Sequence, residues 1–391
     1  MSGRLKIAIS RERREDEPRV AATPETVAKL LRTAPGVEVC VERGAGYAAG
    51  IVDTEYEAAG ASVLPETAAV LDGAAIQFAV RAPPDDAIPY LPRDAVLVGM
   101  LDPYRLNGVL ETYASAGLTT FSLELLPRVT RAQAMDVLSS QSNLAGYKAV
   151  IDAAAEFERA MPMMMTAAGT VPPARVLVMG AGVAGLQAIA TARRLGAIVS
   201  ATDVRPAARE QVESLGATFI GVDGPEAENA ETEGGYAREM SESYRRRQAE
   251  LFATELRRQD IVIGTALVPG RPAPRLIDAD MVATMRKGSV VVDLAAEHGG
   301  NCELSRPGER VVAHGVTILA HRNVPGRLAA SASALYARNL LAFVTPLIGE
   351  KGLRFDWDDE ILAATVLTRD GAVVHPRFRP APSDDGAGGN A

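Results

Sequence analysis

The sequence feature that most constrains the fold is an apolar run that ends in a glycine-rich turn, RVLVMGAGVAGLQAIATARRLGA, at residues 175–197. It places Gly180, Gly182 and Gly185 in a G-x-G-x-x-G pattern, directly after a strand-like segment and at the start of an amphipathic helical pattern. In that context the glycine spacing is the fingerprint of a dinucleotide-binding β-α-β unit. The pattern therefore predicts a Rossmann-like domain.

The three glycines and the end of the next strand predict how a nucleotide would be held. Gly180 allows the tight turn, Gly182 lets the backbone approach a pyrophosphate, and Gly185 lets the helix pack close to the strand. Asp203 ends the following strand, where a carboxylate accepts hydrogen bonds from adenosine ribose hydroxyls and disfavours a 2′-phosphate. NAD(H) is thus favoured over NADP(H), although Arg205 weakens the preference because a nearby arginine accommodates that phosphate. An empty Rossmann-like domain with Asp203 as a helix cap is the alternative.

Strand-like and helical patterns alternate along most of the 391 residues, which suffice for two packed cores. The first series of strand-like runs is LKIAIS, VEVCVE, AIQFAV, AVLVGML and LTTFSLE, and the second is RVLVMG, IVSATDV, ATFIGV, DIVIGTAL, SVVVDLAA and VTILAH. Alternation of this kind implies parallel sheets covered by helices on both faces. We therefore expect an α/β protein with two Rossmann-like, doubly wound parallel-sheet domains and a nucleotide cleft between them.

Helical spacing predicts where these domains meet. A long helix from about Asn143 would bridge them, and SASALYARNLLAFVTPLI would return the chain to the first domain, although consecutive domains with a simple linker are an alternative. The expected domains are a Rossmann-like (flavodoxin-like) one at residues 1–142 plus about 327–378, and the NAD(H)-binding one at 143–326. An acidic insert at about 223–243 is either a mobile lid or a solvated loop, and the tail at 379–391 is predicted to be disordered.

Composition and charge exclude several function classes. A net charge of -8 argues against a nucleic-acid-binding surface. The two cysteines and the four scattered histidines lack metal-ligand spacing, so no metal site is expected. No apolar run reaches the length that spans a bilayer, and the start MSGRLKIAISRERRE lacks the apolar core of a secretory leader. We therefore expect a chain in a reducing compartment that does not itself cross a membrane.

A polar cluster at residues 131–149, RAQAMDVLSSQSNLAGYKA, contains no histidine or cysteine and one lysine. If the segment is helical, Gln133, Asp136 and Ser139 form one polar stripe whose amide, carboxylate and hydroxyl suit the carboxamide of a nicotinamide. Hydride transfer between two nicotinamides needs alignment rather than a general base, whereas oxidation of an alcohol or amine needs a proton acceptor. The alternative is a chain of caps for the helix near Asn143.

At these residues the chain resembles the NAD(H)-binding components of proton-translocating NAD(P) transhydrogenases, which belong to the alanine dehydrogenase/transhydrogenase family. The resemblance covers nearly the whole chain. Its most specific blocks are RAQAMDVLSSQSNLAGYKAV, MMMTAAGTVPPARVLVMGAGVAGLQAIATARRLGA, ATDVR, GGYAREMS, TALVPGRPAPRLI and VVVDLAAEHGGNCE.

The resemblance implies roles for individual residues. Those that position the nicotinamide correspond to Arg128, Gln133, Asp136 and Ser139. Those near the adenosine and pyrophosphate correspond to Gly182, Val183, Asp203, Val204 and Arg205, with Gly235, Gln248 and Leu267 also expected near the nucleotide. Gly235, Tyr236 and Met240 correspond to the tip of the loop that folds over NAD(H).

The resemblance also implies an activity and partners. It implies a homodimer that binds NAD(H) and acts with a membrane-spanning subunit and an NADP(H)-binding subunit. The whole complex couples hydride transfer from NADH to NADP+ to proton translocation. The implied location is cytoplasmic, peripheral at the inner membrane through the partner subunits.

Two other functions are open at the level of sequence. Alanine dehydrogenase resembles the same family, and its substrate-carboxylate arginine corresponds to Arg19. At the positions of its characteristic Lys, His and Asp, however, this chain has Arg81, Asp102 and Glu297, which removes the expected proton-transfer groups. The other alternative is a non-catalytic NAD-binding sensor module.

Overall fold

The computed structural model describes residues 4–106, 108–222, 240–268 and 270–379, which form two compact units. The first unit extends to Leu138 and resumes at Ala329, and the second unit is Ser139–Leu328. Within the described residues, no helix is both long and apolar enough to cross a membrane.

The first unit begins with strands that alternate with short helices. Its strands are β1 (Leu5–Ile9), β2 (Val37–Glu42), β3 (Ser62–Leu64), β4 (Ile76–Arg81), β5 (Val96–Met100) and β6 (Thr119–Ser122). Its helices are α1 (Pro24–Thr33), α2 (Asp53–Ala58), α3 (Thr67–Leu71) and α4 (Val109–Ser115). Thr23 caps α1, its side chain accepting from the Thr26 N–H while Pro24 occupies the first turn, and both features favour a helix start there.

The long helix α5 (Val137–Glu156) leads into the second unit. The strands of the second unit are β7 (Met164–Thr166), β8 (Gly169–Val171), β9 (Arg175–Met179), β10 (Ile198–Thr202), β11 (Thr218–Phe219), β12 (Ile261–Gly264), β13 (Val290–Asp293), β14 (Arg310–Ala313) and β15 (Val316–Leu319). The helices are α6 (Val183–Arg194), α7 (Ala207–Ser214), α8 (Glu242–Leu256) and α9 (Ala279–Thr284).

The chain then returns to the first unit through α10 (Ala329–Val344). It ends with β16 (Ile348–Gly349), β17 (Gly352–Leu353), α11 (Glu360–Thr365), β18 (Val366–Arg369) and β19 (Ala372–Val373). The last two strands add to the first sheet as antiparallel edge strands, β18 pairing with β6. The sequence patterns did not predict this extension of the sheet.

Both sheets have the strand order of a Rossmann fold. The first is an eight-stranded sheet ordered β19-β18-β6-β5-β4-β1-β2-β3, and the second is a seven-stranded sheet ordered β11-β10-β9-β12-β13-β15-β14. Each therefore contains the parallel order 3-2-1-4-5-6. The predicted α/β class with two Rossmann-like domains is confirmed. The first sheet differs from the flavodoxin-like order 2-1-3-4-5 only by the three-residue edge strand β3, so the flavodoxin-like description of the first domain stays a prediction.

Helices cover both faces of each sheet, as the apolar strand runs predicted. In β1, Ile7 and Ile9 pack with the residues of α1 and α10, whereas Ala8 packs on the other face with those of α3 and α4. The second sheet likewise separates two apolar clusters. Burial on both faces explains why these strands lack the alternation of apolar and polar residues that half-exposed strands show.

Two predicted boundaries need correction. The long helix begins at Val137, six residues before the predicted start at Asn143. The predicted insert at 223–243 overlaps α8, which begins at Glu242 because the Ser241 side chain accepts from the Tyr244 N–H and caps it. Residues 223–239 of the insert and residues 380–391 of the predicted tail lie outside the described residues.

Candidate functional site

The glycine-rich turn joins β9 to α6 at the carboxyl edge of the second sheet. Gly180 has a φ of +105°, and a Cβ there would lie 2.6 Å from the Thr265 Oγ1. A Cβ at Gly185 would lie 1.8 Å from the Gly180 carbonyl oxygen, so only glycine lets the helix pack this close to the turn. A Cβ at Gly182 would meet no atom within 4 Å, so the turn is open there. Gly182 is the residue that precedes α6, whose first N–H groups have no intrahelical acceptor.

Asp203 follows β10 directly and joins two parts of this edge. Its Oδ2 accepts from the Ala181 N–H at 2.8 Å, within the glycine-rich turn. Its two oxygens also accept from Arg205, at 3.0 Å from Nε and 2.8 Å from Nη2. Burial alone would raise the pKa of Asp203, but the hydrogen bonds and the positive charge of Arg205 outweigh it and lower that pKa. A ribose here would meet an ion pair rather than a lone carboxylate, so repulsion of a 2′-phosphate is weaker than Asp203 alone implies.

The loop after β12 forms the third part of this edge. The Thr265 hydroxyl donates to the Gly180 carbonyl at 2.9 Å and so attaches the loop to the glycine-rich turn. The buried Asn301 accepts from the Ala266 N–H at 3.0 Å and donates to the Ala266 carbonyl at 2.9 Å. This double contact fixes the backbone just before Leu267, whose side chain is 42% exposed. The sequence patterns gave no role to Asn301, which follows two glycines in a loop.

The structure brings most of the predicted nucleotide residues to one place. The loops that follow β9, β10 and β12 meet at the point where the strand order reverses, which is where open α/β sheets bind ligands. These loops and the first turn of α6 carry Gly180, Gly182, Val183, Gly185, Asp203, Val204, Arg205 and Leu267. Gln248 is half-buried on α8, and within the described ranges no hydrogen bond or ion pair links it to this edge. Gly235 and Tyr236 lie outside the described residues.

Gln133 lies in a 3-10 helix, Thr130–Met135, that the first unit holds from several sides. Ala132 and Met135 are buried in its core. The Asn339 side chain of α10 donates to the Ala134 carbonyl at 2.8 Å, and Arg131 donates to both oxygens of Asp359 at 2.6 and 2.8 Å. Gln133 is exposed on this anchored turn, as is Arg128 in the loop before it. An outward polar group on a fixed backbone is what orientation of a ligand requires.

The predicted helical stripe through this segment is wrong in its geometry. The 3-10 helix ends at Met135, Asp136 follows with φ -70° and ψ 90°, and α5 begins at Val137. Gln133 and Asp136 therefore share one turn of the first unit, whereas Ser139 belongs to α5 and to the second unit. The alternative of caps near Asn143 is also wrong, because Ser139, Ser140, Ser142 and Asn143 all lie within α5.

Glu12 is a titratable group that the sequence patterns missed. Its carboxylate accepts from the N–H groups of Val80 at 2.6 Å and Arg81 at 3.3 Å, where the pairing of β4 with β5 shifts register. Burial raises the pKa of Glu12 to about 7, and nearby Glu17 adds to the rise, against the opposing hydrogen bonds from the backbone. Groups that titrate near neutral pH are scarce at residues 131–149, but Glu12 shows that the first unit contains one elsewhere.

The residues at the positions characteristic of alanine dehydrogenase are engaged within the chain. The buried Arg19 donates to Glu17 at 2.6 Å, and Arg81 donates to the same carboxylate at 3.1 Å. A guanidinium stays protonated, so Arg81 does not act as a proton acceptor. Glu297 accepts from the Asn323 N–H at 2.9 Å. The contacts of Arg19, Arg81 and Glu297 are structural ones.

No group of three or more His, Cys, Asp and Glu side chains in the described part of the chain is placed to hold a metal ion. Cys40 and Cys302 are both buried and free.

Comparison with known proteins finds matches over nearly the whole chain. Residues 8–145 match the family model described as "Alanine dehydrogenase/PNT, N-terminal domain", and residues 149–376 match "Alanine dehydrogenase/PNT, C-terminal domain". A Rhodospirillum rubrum protein, named as the first part of NAD(P) transhydrogenase subunit alpha, is 54% identical over 379 residues, which cover 95% of this chain and 98% of that one.

Two solved structures are also similar. A transhydrogenase from Sinorhizobium meliloti has a TM-score of 0.86 and 52% sequence identity, covering 94% of this chain and 100% of that one. An L-alanine dehydrogenase has a TM-score of 0.81 and 26% identity, covering 96% of this chain and 98% of that one.

Proposed function

The chain belongs to the alanine dehydrogenase/PNT family, and on that premise we propose that it is the NAD(H)-binding component of an NAD(P) transhydrogenase. In this role it exchanges hydride directly with NADP(H) held by a partner subunit. The observation that carries the proposal is the open Gly182 position at the start of α6, at the reversal of strand order in the second sheet. The identity of 54% over nearly the whole length of a transhydrogenase subunit supports it.

The second unit supplies groups that fit a dinucleotide. The N–H groups at the start of α6, which have no intrahelical acceptor, suit a pyrophosphate, and the absence of a side chain at Gly182 lets it approach. The Asp203–Arg205 pair is proposed to bind the adenosine ribose, and Val183, Val204 and Leu267 are proposed to provide apolar surface for the nucleotide. Gly235, Tyr236 and Gln248 are proposed as further nucleotide contacts on the strength of the family resemblance alone.

The segment around Gln133 is proposed to position the nicotinamide. When bound, NADH supplies the hydride, so the chain's own residues orient the ring and exclude water. Gln133 and Asp136 offer an amide and a carboxylate to the carboxamide, and Arg128 and Ser139 add a guanidinium and a hydroxyl. None of these four residues is required to accept a proton, because transfer between two nicotinamides releases none from the reacting carbons.

The relatives are named as subunits, which supports an assembly with other chains. We propose a homodimer that acts with an NADP(H)-binding subunit and a membrane-spanning subunit, and that couples hydride transfer to proton translocation. Such a chain would lie at the cytoplasmic face of the inner membrane and be held there by its partners.

A reconstituted assay tests the proposal. The purified chain is mixed with the NADP(H)-binding subunit of a transhydrogenase, and reduction of a spectrally distinct NADP+ analogue by NADH is followed. We expect hydride transfer that depends on both proteins, and its absence would exclude the proposal. Alanine-dependent NADH formation by this chain alone would indicate an alanine dehydrogenase instead. NADH binding without either activity would indicate a sensor.

A further inference from the structure

The first unit has a second crevice at the position that the nucleotide site occupies in the second unit. Strand order reverses between β1 and β4 in the first sheet, just as it reverses between β9 and β12 in the second. Open α/β sheets bind ligands outside the carboxyl ends of the strands at this point. A cavity of about 830 Å³ lies there, lined by residues that follow β1, β2, β3 and β4. Its size is within the range of small-molecule sites.

The loop after β1 excludes a dinucleotide from this cavity. Residues 10–14 read SRERR where the second unit has the glycine-rich turn, so side chains rather than bare backbone line the crevice. A pyrophosphate approaches the backbone closely only where glycines leave space. The crevice therefore suits a ligand held by side chains.

Two arginines at this edge are available to such a ligand. Arg43 directly follows β2 in the first sheet, just as Asp203 directly follows β10 in the second sheet. An arginine at this position recognises a phosphate rather than ribose hydroxyls. The guanidinium groups of Arg43 and Arg11 are exposed, and neither forms a hydrogen bond or ion pair within the described ranges. Both line the cavity, and guanidinium forks match phosphate oxygens.

The acidic residues of the cavity do not cancel these charges. The buried Glu42 is engaged by the Arg11 N–H at 2.8 Å and by the Arg13 side chain. The pKa of Glu12, raised by burial to about 7, leaves that carboxyl only partly ionised at neutral pH. Glu66 and Asp86 lie exposed among the lining residues, where carboxylates accept hydrogen bonds from ligand hydroxyls.

Gln77 provides an independent indication of a ligand. This side chain is fully buried and lines the cavity. Its Nε2 donates to the Ser10 Oγ at 3.0 Å, but its Oε1 has no hydrogen-bond partner among the described residues. An unpaired buried acceptor costs about 1–3 kcal/mol, and a hydrogen-bond donor on a ligand removes that cost. The ligand would thus carry a hydroxyl or amino group besides its anionic part.

We propose that the crevice of the first unit binds a phosphate monoester that carries hydroxyl groups, of the size of a pentose phosphate or a mononucleotide. Arg11 and Arg43 bind the phosphate, and the Gln77 carbonyl oxygen accepts from a hydroxyl or amino donor. All residues that line the crevice belong to the first unit, and none of them is among the proposed nucleotide-binding residues.

Calorimetric titration of the full chain with ribose 5-phosphate, at saturating NADH, tests the proposal. We expect binding with NADH present, and tighter binding of ribose 5-phosphate than of inorganic phosphate or ribose. The double variant Arg11→Gln/Arg43→Gln should lose about tenfold or more in affinity, because two charge-assisted contacts are removed. A matched control is Arg4→Gln, which changes an exposed arginine just before β1, at the opposite edge of the sheet.

A second variant tests the role of Gln77. Gln77→Met keeps the volume and removes the unpaired oxygen, so it should reduce the preference for ribose 5-phosphate over inorganic phosphate. Adenosine 5′-monophosphate in the same titration distinguishes a mononucleotide from a sugar phosphate. The proposal is overturned if no phosphate ester binds at millimolar concentration, if NADH competes with it, or if the double variant binds as the Arg4→Gln control does. NADH binding by each variant shows that the second unit is intact.

Discussion

Asp203 and Arg205 form a closed ion pair at the end of β10, with the Arg205 Nη2 2.8 Å from the Asp203 Oδ2 and its Nε 3.0 Å from Oδ1. The same carboxylate accepts from the Ala181 N–H in the glycine-rich turn. Asp203 thus holds both the turn and Arg205 at the proposed nucleotide site. We therefore expect any preference for NAD(H) to depend on the pair and not on the carboxylate alone.

The first prediction concerns Asp203→Ala. We expect NADH binding to weaken about tenfold, because loss of the bond to Ala181 loosens the turn and a charged hydrogen bond contributes about 1.5–3 kcal/mol. Binding of NADPH should weaken less, because the freed Arg205 can pair with a 2′-phosphate. Fluorescence titration of both nucleotides measures this. Arg205→Gln is the control, for which we expect no gain in NADPH binding. Unchanged titrations for Asp203→Ala would contradict the assignment.

The second prediction concerns Gly182→Ala. Gly182 has a φ of -78°, which alanine adopts without strain, and a Cβ there meets no atom of the chain within 4 Å. We therefore expect a normally folded protein, with an unchanged melting temperature, whose affinity for NADH falls because the methyl group occupies the path of the pyrophosphate. Thermal unfolding and NADH titration of the same sample separate the two effects. NADH affinity equal to that of the unmodified chain would contradict this role.

The third prediction concerns Gly185→Ala, which we expect to reduce the stability of the fold, in contrast to Gly182→Ala. Its Cβ would lie 1.8 Å from the Gly180 carbonyl oxygen and 3.3 Å from the Thr265 Oγ1, so α6 must move away from the turn. Overpacking of this kind costs about 1–3 kcal/mol, and we expect a lower melting temperature even without nucleotide. Thermal unfolding measured without NADH tests it. A melting temperature equal to that of Gly182→Ala would show that α6 tolerates the displacement.

The sequence predicted most of the fold because both units follow local rules. Buried parallel strands are continuous apolar runs, and the turn after β9 carries its glycines in a fixed pattern. The antiparallel extension by β18 and β19 was missed because β18 joins β6 from more than two hundred residues away in sequence, and no local pattern encodes that pairing. The register of Glu12 against the N–H groups of Val80 and Arg81 was missed for the same reason.

The site was predictable only to a limited extent. Spacing alone identified the glycine-rich turn, but it placed Gln133, Asp136 and Ser139 on one helix. The core overrides that spacing: Ala132 and Met135 are buried and Asn339 binds the Ala134 carbonyl, which favours a 3-10 helix that ends before α5 begins. One of the contacts that stabilise this turn comes from a helix about two hundred residues away in sequence, which local spacing does not reveal.

The fourth prediction concerns Gln133→Asn. Shortening the side chain by one methylene withdraws the amide from the nicotinamide without changing the charge. We expect slower hydride transfer in the reconstituted assay with little change in NADH affinity, because orientation is lost more than binding. Asn339→Ala should show the same pattern through the loss of the anchor at Ala134. A large loss of NADH affinity with unchanged transfer per bound nucleotide would contradict the positioning role of Gln133.

The fifth prediction concerns the pH dependence of stability through Glu12. Burial raises the pKa of Glu12 from 4.5 to about 7 in the folded chain, whereas the unfolded chain keeps the ordinary value. The folded state therefore holds this proton more tightly, and the contribution of Glu12 to stability is full below pH 4.5 and is lost as the pH rises toward 7. A glutamine side chain does not titrate, so the Glu12→Gln variant has no such pH-dependent contribution. The difference in free energy of unfolding, variant minus unmodified chain, should therefore rise by about 2–3 kcal/mol between pH 4.5 and pH 8. Urea unfolding of both proteins across this range measures the difference, and comparison within the pair cancels the titration of the other carboxylates. A difference that stays constant with pH would show that Glu12 ionises in the folded chain as it does in water.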